Sequence, residues 1–506
     1  MKLSELIKNV SVIEVVGDAE REITEIVYDS RKVSPKESEF SGKEGSLFVA
    51  LKGAQFDGHR FIVDAIGSGA SAVAVEDNSI VNDDYFLSHH TTKLLVLNTR
   101  RALALISANF FKRPAEKLKV AGITGTNGKT TSTYLIKSIM QSAGEKVLLV
   151  GTITYLLNDE PLEAATNTTP ESFELQRMMS VAVDKNATSA VMEVSSHSLV
   201  MDRVYGIPFK VALFTNLTQD HLDYHRTMEE YFKAKKILFD ALSSDSVAVV
   251  NADDEYGEKI VADTRAKKVF FGINTRSDFQ IVKSSFGIGG TNVVIRHEGK
   301  EFIINSHLVG KFNFYNLAGA FAAGVSLGYD PIAVAGALGN VQNVKGRFER
   351  IDSGKGYLVV VDYAHSPDSL QKTLQSAREI LNASDKKGRL ITVFGCGGNR
   401  DRTKRPKMGK ISEDLSDITI VTSDNPRFEE PESIVDEILA GMNAKSEKIL
   451  RIVDRSEAIK KSLSLAYPND IVVLAGKGHE NYQDVKGIKH HFDDREEVEK
   501  ALGLKS

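Results

Sequence analysis

The chain has 506 residues, 42% hydrophobic and 26% charged, with 38 Gly and 11 Pro; this excludes a disordered or collagen-like polymer and allows about three separately cored domains. Its 64 Lys+Arg and 68 Asp+Glu leave a net charge of −4, too even for the uniform field of a nucleic-acid or membrane-surface binder. The single cysteine, Cys396, excludes an intrachain disulfide or a cysteine-rich zinc site and fits a reducing compartment, the cytoplasm by default.

The opening MKLSELIKNV reads as a short amphipathic helix without the apolar core of a secretory signal. The longest apolar stretches, such as Tyr357 to Val361, are strand-sized and far short of the roughly 20 residues that cross a bilayer, so no membrane insertion is expected. Short β-rich runs (Ser46 to Leu51, Ala72 to Val75, Leu94 to Leu97) alternate with helical patterns through residue 115. Arg113-Pro114 disfavours helix and is followed by a strand, Leu118 to Ile123, which opens a second region. Further strands at Lys146 to Val150, Ala190 to Val194 and Val211 to Thr215 alternate with helices, predicting a mostly parallel sheet. The polar stretch Asn343 to Arg347 precedes a third series of strands. The expected fold is α/β in three domains, 1–115, 116–345 and 346–506.

After the strand ending near Ile123 comes Thr124-Gly125-Thr126-Asn127-Gly128-Lys129-Thr130-Thr131, then the helical pattern STYLIKSIM. This strand, loop and helix is the context of a phosphate-binding loop. Glycines let backbone N–H groups turn toward phosphate, the helix start adds positive potential, Lys129 supplies a point charge and the Thr130 hydroxyl can ligate Mg²⁺. The spacing departs from G-x-x-x-x-G-K-[ST], because the glycines fall at 122, 125 and 128.

Glu193 closes the apolar strand AVMEV, where a carboxylate is costly unless paired or bound to metal. A second strand, VALFTN, delivers Asn216 and then Asp220-His221 to the same expected edge. Winding Met228 to Phe239 as a helix places Lys235 within the apolar stripe of Tyr231, Phe232, Leu238 and Phe239, with Lys233 nearly opposite. A core-facing lysine either snorkels to water or loses its charge by desolvation. Asn313 and Asn316 precede a helix that they could cap, or they could contact a nucleotide. In the last third, VVVDYAHS, ITVFGCGGNRD, ITIVTSDNPR and IVVLAGKGHE each pass from apolar to polar, and such endings should share one sheet edge. That edge would gather Arg400, Asp424, Asn425, Pro426, Arg427, Gly476 and Glu480, a mixed-charge set able to receive a zwitterion.

ITGTNGKTTS resembles the ATP loop of the Mur ligases, which build the peptide of bacterial peptidoglycan. The resemblance covers essentially the whole chain: DSRKV, LFVALKG, NTTP, MEVSSH, FTNLTQDHLDYH, YFKAKKILF, VDYAHSPDSL, FGCGGNRD, SDNPR and GKGHENYQ. It implies an N-terminal α/β uridine-nucleotide domain, a central P-loop ATPase-like parallel sheet and a C-terminal Rossmann-like domain. It further implies a monomeric, cytoplasmic ligase for UDP-N-acetylmuramoyl-L-alanyl-D-glutamate, meso-diaminopimelate and ATP.

By that resemblance, residues 125 to 131 with Asn316 and Arg347 bind ATP, while Thr130, Glu193, His221 and Lys235 hold two Mg²⁺, Lys235 as a carbamate. Lys129, Lys235 and His221 would serve catalysis. Tyr28, Ser30, Ala54, Gln55 and Phe56 would form the uridine diphosphate pocket, although taken alone these segments are ordinary turns. Asn167, Thr168, Thr169, Ser195, Met201 and Arg203 would contact the muramoyl dipeptide. Met201 stands where some relatives carry Gln, Asn399 replaces an Asp, and residues 34–45 form a longer segment than the family usually has. Arg427 offers a planar fork for the distal carboxylate of diaminopimelate, which L-lysine lacks; the same ligation with L-lysine is the alternative. Another amide ligase of the superfamily and a non-catalytic nucleotide switch are the more distant readings.

Overall fold

The computed structural model describes residues 1–29, 45–53, 57–287, 289–383, 386–443 and 446–504. They fall into two compact units. One comprises Met1–Lys129, Met140–Phe270 and Ala322–Tyr329; the other comprises Thr130–Ile139, Phe271–Phe321 and Asp330–Ser506.

The first unit opens with a sheet of β1 (Val12–Val16), β2 (Ile23–Val27), β3 (Gly45–Val49), β4 (Ala72–Val75) and β5 (Thr92–Val96), ordered β1-β5-β4-β3-β2. Only the edge strand β1 runs antiparallel to its neighbour. β4, read AVAV, is buried on both faces, as expected of an inner parallel strand covered by helices.

A second sheet in this unit contains β6 (Lys119–Thr124), β7 (Val147–Val150), β8 (Thr154–Leu157), β9 (Glu160–Ala164), β10 (Ser189–Glu193), β11 (Phe209–Phe214) and β12 (Val247–Asn251), ordered β12-β11-β6-β10-β7-β8-β9. Its central strands are parallel, but β7, β8 and β9 pair antiparallel. This edge departs from the mostly parallel reading because two residues, Asn158-Asp159, join β8 to β9, with Asn158 at φ 57°. A loop that short can only reverse the chain.

Register then places chemistry. Glu193 pairs with Ile123 and Phe214 with Thr124, so the ends of β10 and β11 flank the start of the phosphate loop. Close packing requires Gly122, since a Cβ there would lie 2.7 Å from the Phe209 ring. The helix Met228–Asp240 starts at Thr227, whose hydroxyl accepts from Glu230 N–H (3.1 Å), and buries Tyr231, Ala234, Lys235, Leu238 and Phe239.

In the second unit, β13 (Lys267–Gly272) contributes its last two residues to a parallel pairing with β14 (Phe279–Gly287), which continues into an antiparallel meander with β15 (Gly290–His297) and β16 (Lys300–Ser306). A separate sheet joins β17 (Glu349–Asp352), β18 (Leu358–Asp362), β19 (Leu390–Phe394), β20 (Ile418–Val421), β21 (Ile449–Arg451) and β22 (Ile471–Ala475), ordered β17-β18-β22-β19-β20-β21. All neighbours are parallel except β17 and β18. Asp362 and Phe394 are both level with Ala475, and Phe394 with Val421, so the four polar segments of the third region do share one edge. A hairpin of β23 (Tyr482–Val485) and β24 (Ile488–His491) follows.

Under this sheet Arg455 and Asp494 form a fully buried ion pair, Nε to Oδ1 2.7 Å and Nη2 to Oδ2 2.6 Å, with Nη2 also donating to Ala475 O. Removing one member of such a pair leaves the other charged and dry. Arg455→Met should therefore cost about 3–5 kcal/mol of stability, read by denaturant unfolding, whereas replacing both members by apolar residues should cost much less.

Candidate active site

The phosphate loop turns on Gly125, at φ 149°, where a Cβ would collide with Thr215 Oγ1. Segment 215–218 holds the loop closed. Thr126 N–H donates to Asn216 O (2.8 Å), Asn127 N–H donates to Asn216 Oδ1 (3.0 Å), and Asn127 O accepts from Thr215 Oγ1 (2.7 Å) and Asn216 Nδ2 (3.1 Å). Thr126 Oγ1 donates to Thr218 O (3.1 Å) and accepts from Thr218 N–H (3.0 Å). Lys129 begins the helix Lys129–Ser142 and curls back, its Nζ donating to Gly125 O and Thr126 O, both at 2.9 Å.

Lys235 is 1% exposed and also donates to Gly125 O, at 2.8 Å, with Nζ 4.6 Å from the Tyr231 ring centre. Burial, and then the charge of Lys129, hold its amine well below the usual lysine range. Lys233, on the opposite face, is 58% exposed and pairs with Glu229 and Glu230. Beside this helix stands an aromatic cluster of His197, His221, His225, Tyr224 and Tyr231. Burial lowers all three imidazoles, His197 to about 4. His225 Nε2 lies 2.9 Å from Ser196 Oγ, while His221 has a left-handed backbone, φ 53°.

Glu193, buried at the end of β10, accepts from Thr152 N–H at Oε1 (2.8 Å) and from Thr152 Oγ1 at Oε2 (3.1 Å). A Cβ at Gly151 would lie 2.5 Å from Glu193 Oε1, so a larger residue there would displace the carboxylate. No group of three or more His, Cys, Asp or Glu converges as a ready cage among the described residues. An oriented carboxylate at a phosphate-loop edge nevertheless fits Mg²⁺, which keeps waters and takes one or two carboxylates plus substrate phosphates.

Around Thr169 several dipeptide candidates meet. Thr169 Oγ1 donates to Glu193 O (2.8 Å) and accepts from Ser195 N–H (3.1 Å), while Arg203 Nη1 donates to Thr169 O (2.9 Å). Ser195 caps the short helix Ser196–Val200, and Met201 ends it. Thr168 Oγ1 is 3.0 Å from Thr152 Oγ1, and Asn167 O accepts from Tyr155 OH (2.7 Å). Glu171 holds Arg203 (3.4 Å) and Arg100 (3.5 Å). Tyr28 donates to Glu174 (2.7 Å). Ser30, Ala54, Gln55 and Phe56, expected at the uridine pocket, lie outside the described residues, as do residues 34–44.

In the second unit, Arg347 Nη2 is 3.3 Å from Thr130 Oγ1, and its guanidinium lies over the Tyr363 ring. Asn313 opens the helix Asn313–Ser326, its Nδ2 donating to Val309 O (2.9 Å) and its Oδ1 accepting from Asn316 Nδ2 (2.9 Å), so both amides bond within this turn. At the shared edge Asn425 is the hub: its Nδ2 donates to Glu480 Oε2 (2.8 Å), and its Oδ1 accepts from Asp484 N–H (2.9 Å) and Lys477 Nζ (3.4 Å). Burial, and then Asp424, raise the Glu480 carboxyl. Gly476 has φ 114° and Asp424 Oδ2 beside it. Arg427 Nη1 donates to Gly398 O (2.8 Å), Pro426 O accepts from Glu429 N–H (3.0 Å), and Arg400 is exposed at the rim. Cys396 is buried against Met408, and burial pushes its thiol up to about 12, which excludes thiolate chemistry at neutral pH.

Sequence reading missed Thr152, Tyr155, Glu171 and His197 as partners of these groups. His197 is open to test through stability. Its folded-state pKa is depressed from 6.5 to about 4, so across that window the unfolded chain binds the proton and the folded chain does not. Stability should fall as pH drops through this range, and His197→Gln should flatten the dependence in thermal melts.

Comparison with known proteins gives a consistent result. Residues 22–111 match the Mur ligase family catalytic domain, 123–324 the Mur ligase middle domain and 346–478 the Mur ligase glutamate ligase domain. A Syntrophomonas wolfei protein named UDP-N-acetylmuramoyl-L-alanyl-D-glutamate–2,6-diaminopimelate ligase is 43% identical over 99% of both chains. A solved structure bearing the same enzyme name aligns over 99% of both chains at 31% identity, with a TM-score of 0.70. The MurF ligase of Thermotoga maritima, solved with ADP, shares the fold at TM-score 0.56 and 21% identity over 96% of both chains. On the strength of full-length identity and three consecutive domain matches, the chain belongs to the Mur ligase family.

Proposed function

We propose that the protein joins meso-2,6-diaminopimelate to UDP-N-acetylmuramoyl-L-alanyl-D-glutamate at the expense of ATP, as a cytoplasmic monomer in peptidoglycan precursor synthesis. The observation that carries this reading is the 424–427 DNPR segment held against Gly398, Glu480 and Asp484 at one sheet edge, in a chain so similar along its whole length to a ligase of that name. Residues 1–115 would bind the uridine nucleotide, 116–345 ATP and 346–506 the incoming amino acid.

In this reading the loop from Gly125 to Thr131 cradles the ATP phosphates, with Asn316 and Arg347 contributing to the nucleotide. The γ-phosphoryl group passes to the free carboxylate of the D-glutamyl residue. The diaminopimelate amine then attacks the acyl phosphate, expelling phosphate and forming the amide. Thr130, Glu193, His221 and Lys235 would hold two Mg²⁺, which when bound neutralise charge on the transferring phosphoryl group. The buried, neutral-leaning Lys235 amine is the form that adds carbon dioxide, and the resulting carbamate would provide an anionic oxygen donor. Arg203, braced by Glu171, presents a cation to the anionic sugar peptide. Arg427 receives the distal carboxylate of diaminopimelate, and L-lysine, with none, would leave the guanidinium unpaired.

Purified protein supplied with ATP, Mg²⁺ and the UDP-muramoyl dipeptide should release phosphate and lengthen the peptide with diaminopimelate and not with L-lysine, as read by chromatography of the product; no turnover with either amino acid would end this assignment. Lys129→Ala should lose orders of magnitude in rate while keeping its fold, because electrostatics and positioning dominate phosphoryl transfer. Lys235→Ala should be similarly impaired and partly restored by short carboxylic acids that replace the carbamate.

A further inference from the structure

The β23–β24 hairpin carries none of the residues assigned to ATP, metal or dipeptide, yet its backbone is tied to the DNPR segment at three points. Asp484 N–H donates to Asn425 Oδ1 (2.9 Å), Arg427 N–H donates to Asp484 O (2.9 Å) and Lys486 N–H donates to Arg427 O (2.7 Å), making Arg427 and Val485 partners in a parallel bridge. Both polar groups of the Arg427 backbone are therefore satisfied by the hairpin. Arg427 sits at φ 52°, a left-handed conformation that a residue with a Cβ keeps only where its surroundings over-determine it. The hairpin supplies that determination and so sets the direction in which the Arg427 side chain leaves the chain.

Asp484 acts a second time through its carboxylate. Oδ1 accepts from Gly487 N–H (3.1 Å), pinning the two-residue turn Lys486-Gly487, where both residues have positive φ, 52° and 82°. Oδ2 lies 3.9 Å from Arg427 Nε, while Arg427 Nη1 donates to Gly398 O. The guanidinium is thus flanked by an anion on its Nε side and a carbonyl at one Nη. That arrangement turns the Nη end of the fork toward a ligand carboxylate, which a guanidinium grips two-pronged. A neutral side chain at 484 would remove the flanking charge and let the fork rotate.

We propose that Asp484 is a positioning residue for diaminopimelate: it fixes the tip of the hairpin and, through Arg427, the cation that receives the distal carboxylate. This rests on the ligase reading above. Asp484→Asn separates the two roles, because an amide oxygen still accepts from Gly487 N–H while the charge facing Nε is gone. In steady-state ligation by the full chain, the KM for diaminopimelate should rise roughly three- to tenfold, with the KM values of ATP and the UDP-muramoyl dipeptide, and kcat, within about twofold of the parent. Preference for diaminopimelate over L-lysine should fall in the same proportion, and Asp484→Glu should recover part of it. Asp484→Ser, which also keeps a turn acceptor, serves if the Asn variant melts early. An unchanged KM for diaminopimelate, or an equal rise for all three substrates, would overturn the proposal. A parent protein that ligates no diaminopimelate would instead sink the ligase reading itself.

Discussion

One backbone carbonyl, that of Gly125, accepts hydrogen bonds from two lysines, Lys129 at 2.9 Å and Lys235 at 2.8 Å. Two ammonium groups sharing one oxygen in a buried place repel strongly, because the interior screens charge poorly. The conflict is resolved by position. Lys129 begins a helix at the loop, whereas Lys235 is enclosed beside Tyr231, so Lys235 gives up its charge more readily. That choice depends on the carbonyl standing where it does, and hence on a glycine at 125 and on the 215–218 segment that bonds the loop from the side. Substituting Gly125 would disturb the relation between the two amines before it touched any substrate.

Strand register delivers the parts that surround this carbonyl. In the first unit β6 lies between β10 and β11, so three apolar strands of different sequence position end at one level. In the second unit β22 lies between β18 and β19 and produces the same convergence. In the first sheet the connections from the adjacent strands β6 and β11 leave in opposite directions, toward β7 and β12, and there the loops part and open a crevice at the carboxyl ends. Interior strands need only apolar residues, and each site is assembled from the first polar residues beyond them.

This explains which features were legible in the amino-acid sequence. The phosphate loop is local, a strand, a glycine turn and a helix start within a dozen positions, and helical periodicity places Lys235 in an apolar stripe without choosing between a snorkelling and an enclosed amine. The common edge of β18, β19, β20 and β22 follows from their repeated change from apolar to polar. Partners brought in by tertiary contact leave no such mark: Thr152, which orients Glu193, and Glu171, which braces Arg203, sit in segments that read as ordinary polar loops. The antiparallel meander β14–β16 was also missed, since its strands alternate buried and exposed residues less regularly than a helix-covered strand repeats apolar ones.

Backbone strain shows where packing was used to hold chemistry in place. Among the residues with positive φ, several only close turns, but Phe348, Asn399 and Arg427 stand at the edge of the last sheet, each bearing a Cβ. Such residues cost of order 1–3 kcal/mol apiece and persist only where neighbours fix them. Phe348 N–H donates to Asp362 Oδ2 (2.6 Å), Asn399 Oδ1 accepts from Phe428 N–H (3.0 Å), and the hairpin takes both polar groups of Arg427. Asp362 is half-buried with its carboxyl raised by desolvation, and Phe348 N–H at Oδ2 and Thr373 Oγ1 at Oδ1 (3.0 Å) supply its partners. Strained turns and buried polar groups thus stabilise one another in pairs. The arginine proposed to receive the zwitterion thus stands on a left-handed backbone, φ 52°, that no local sequence preference would choose.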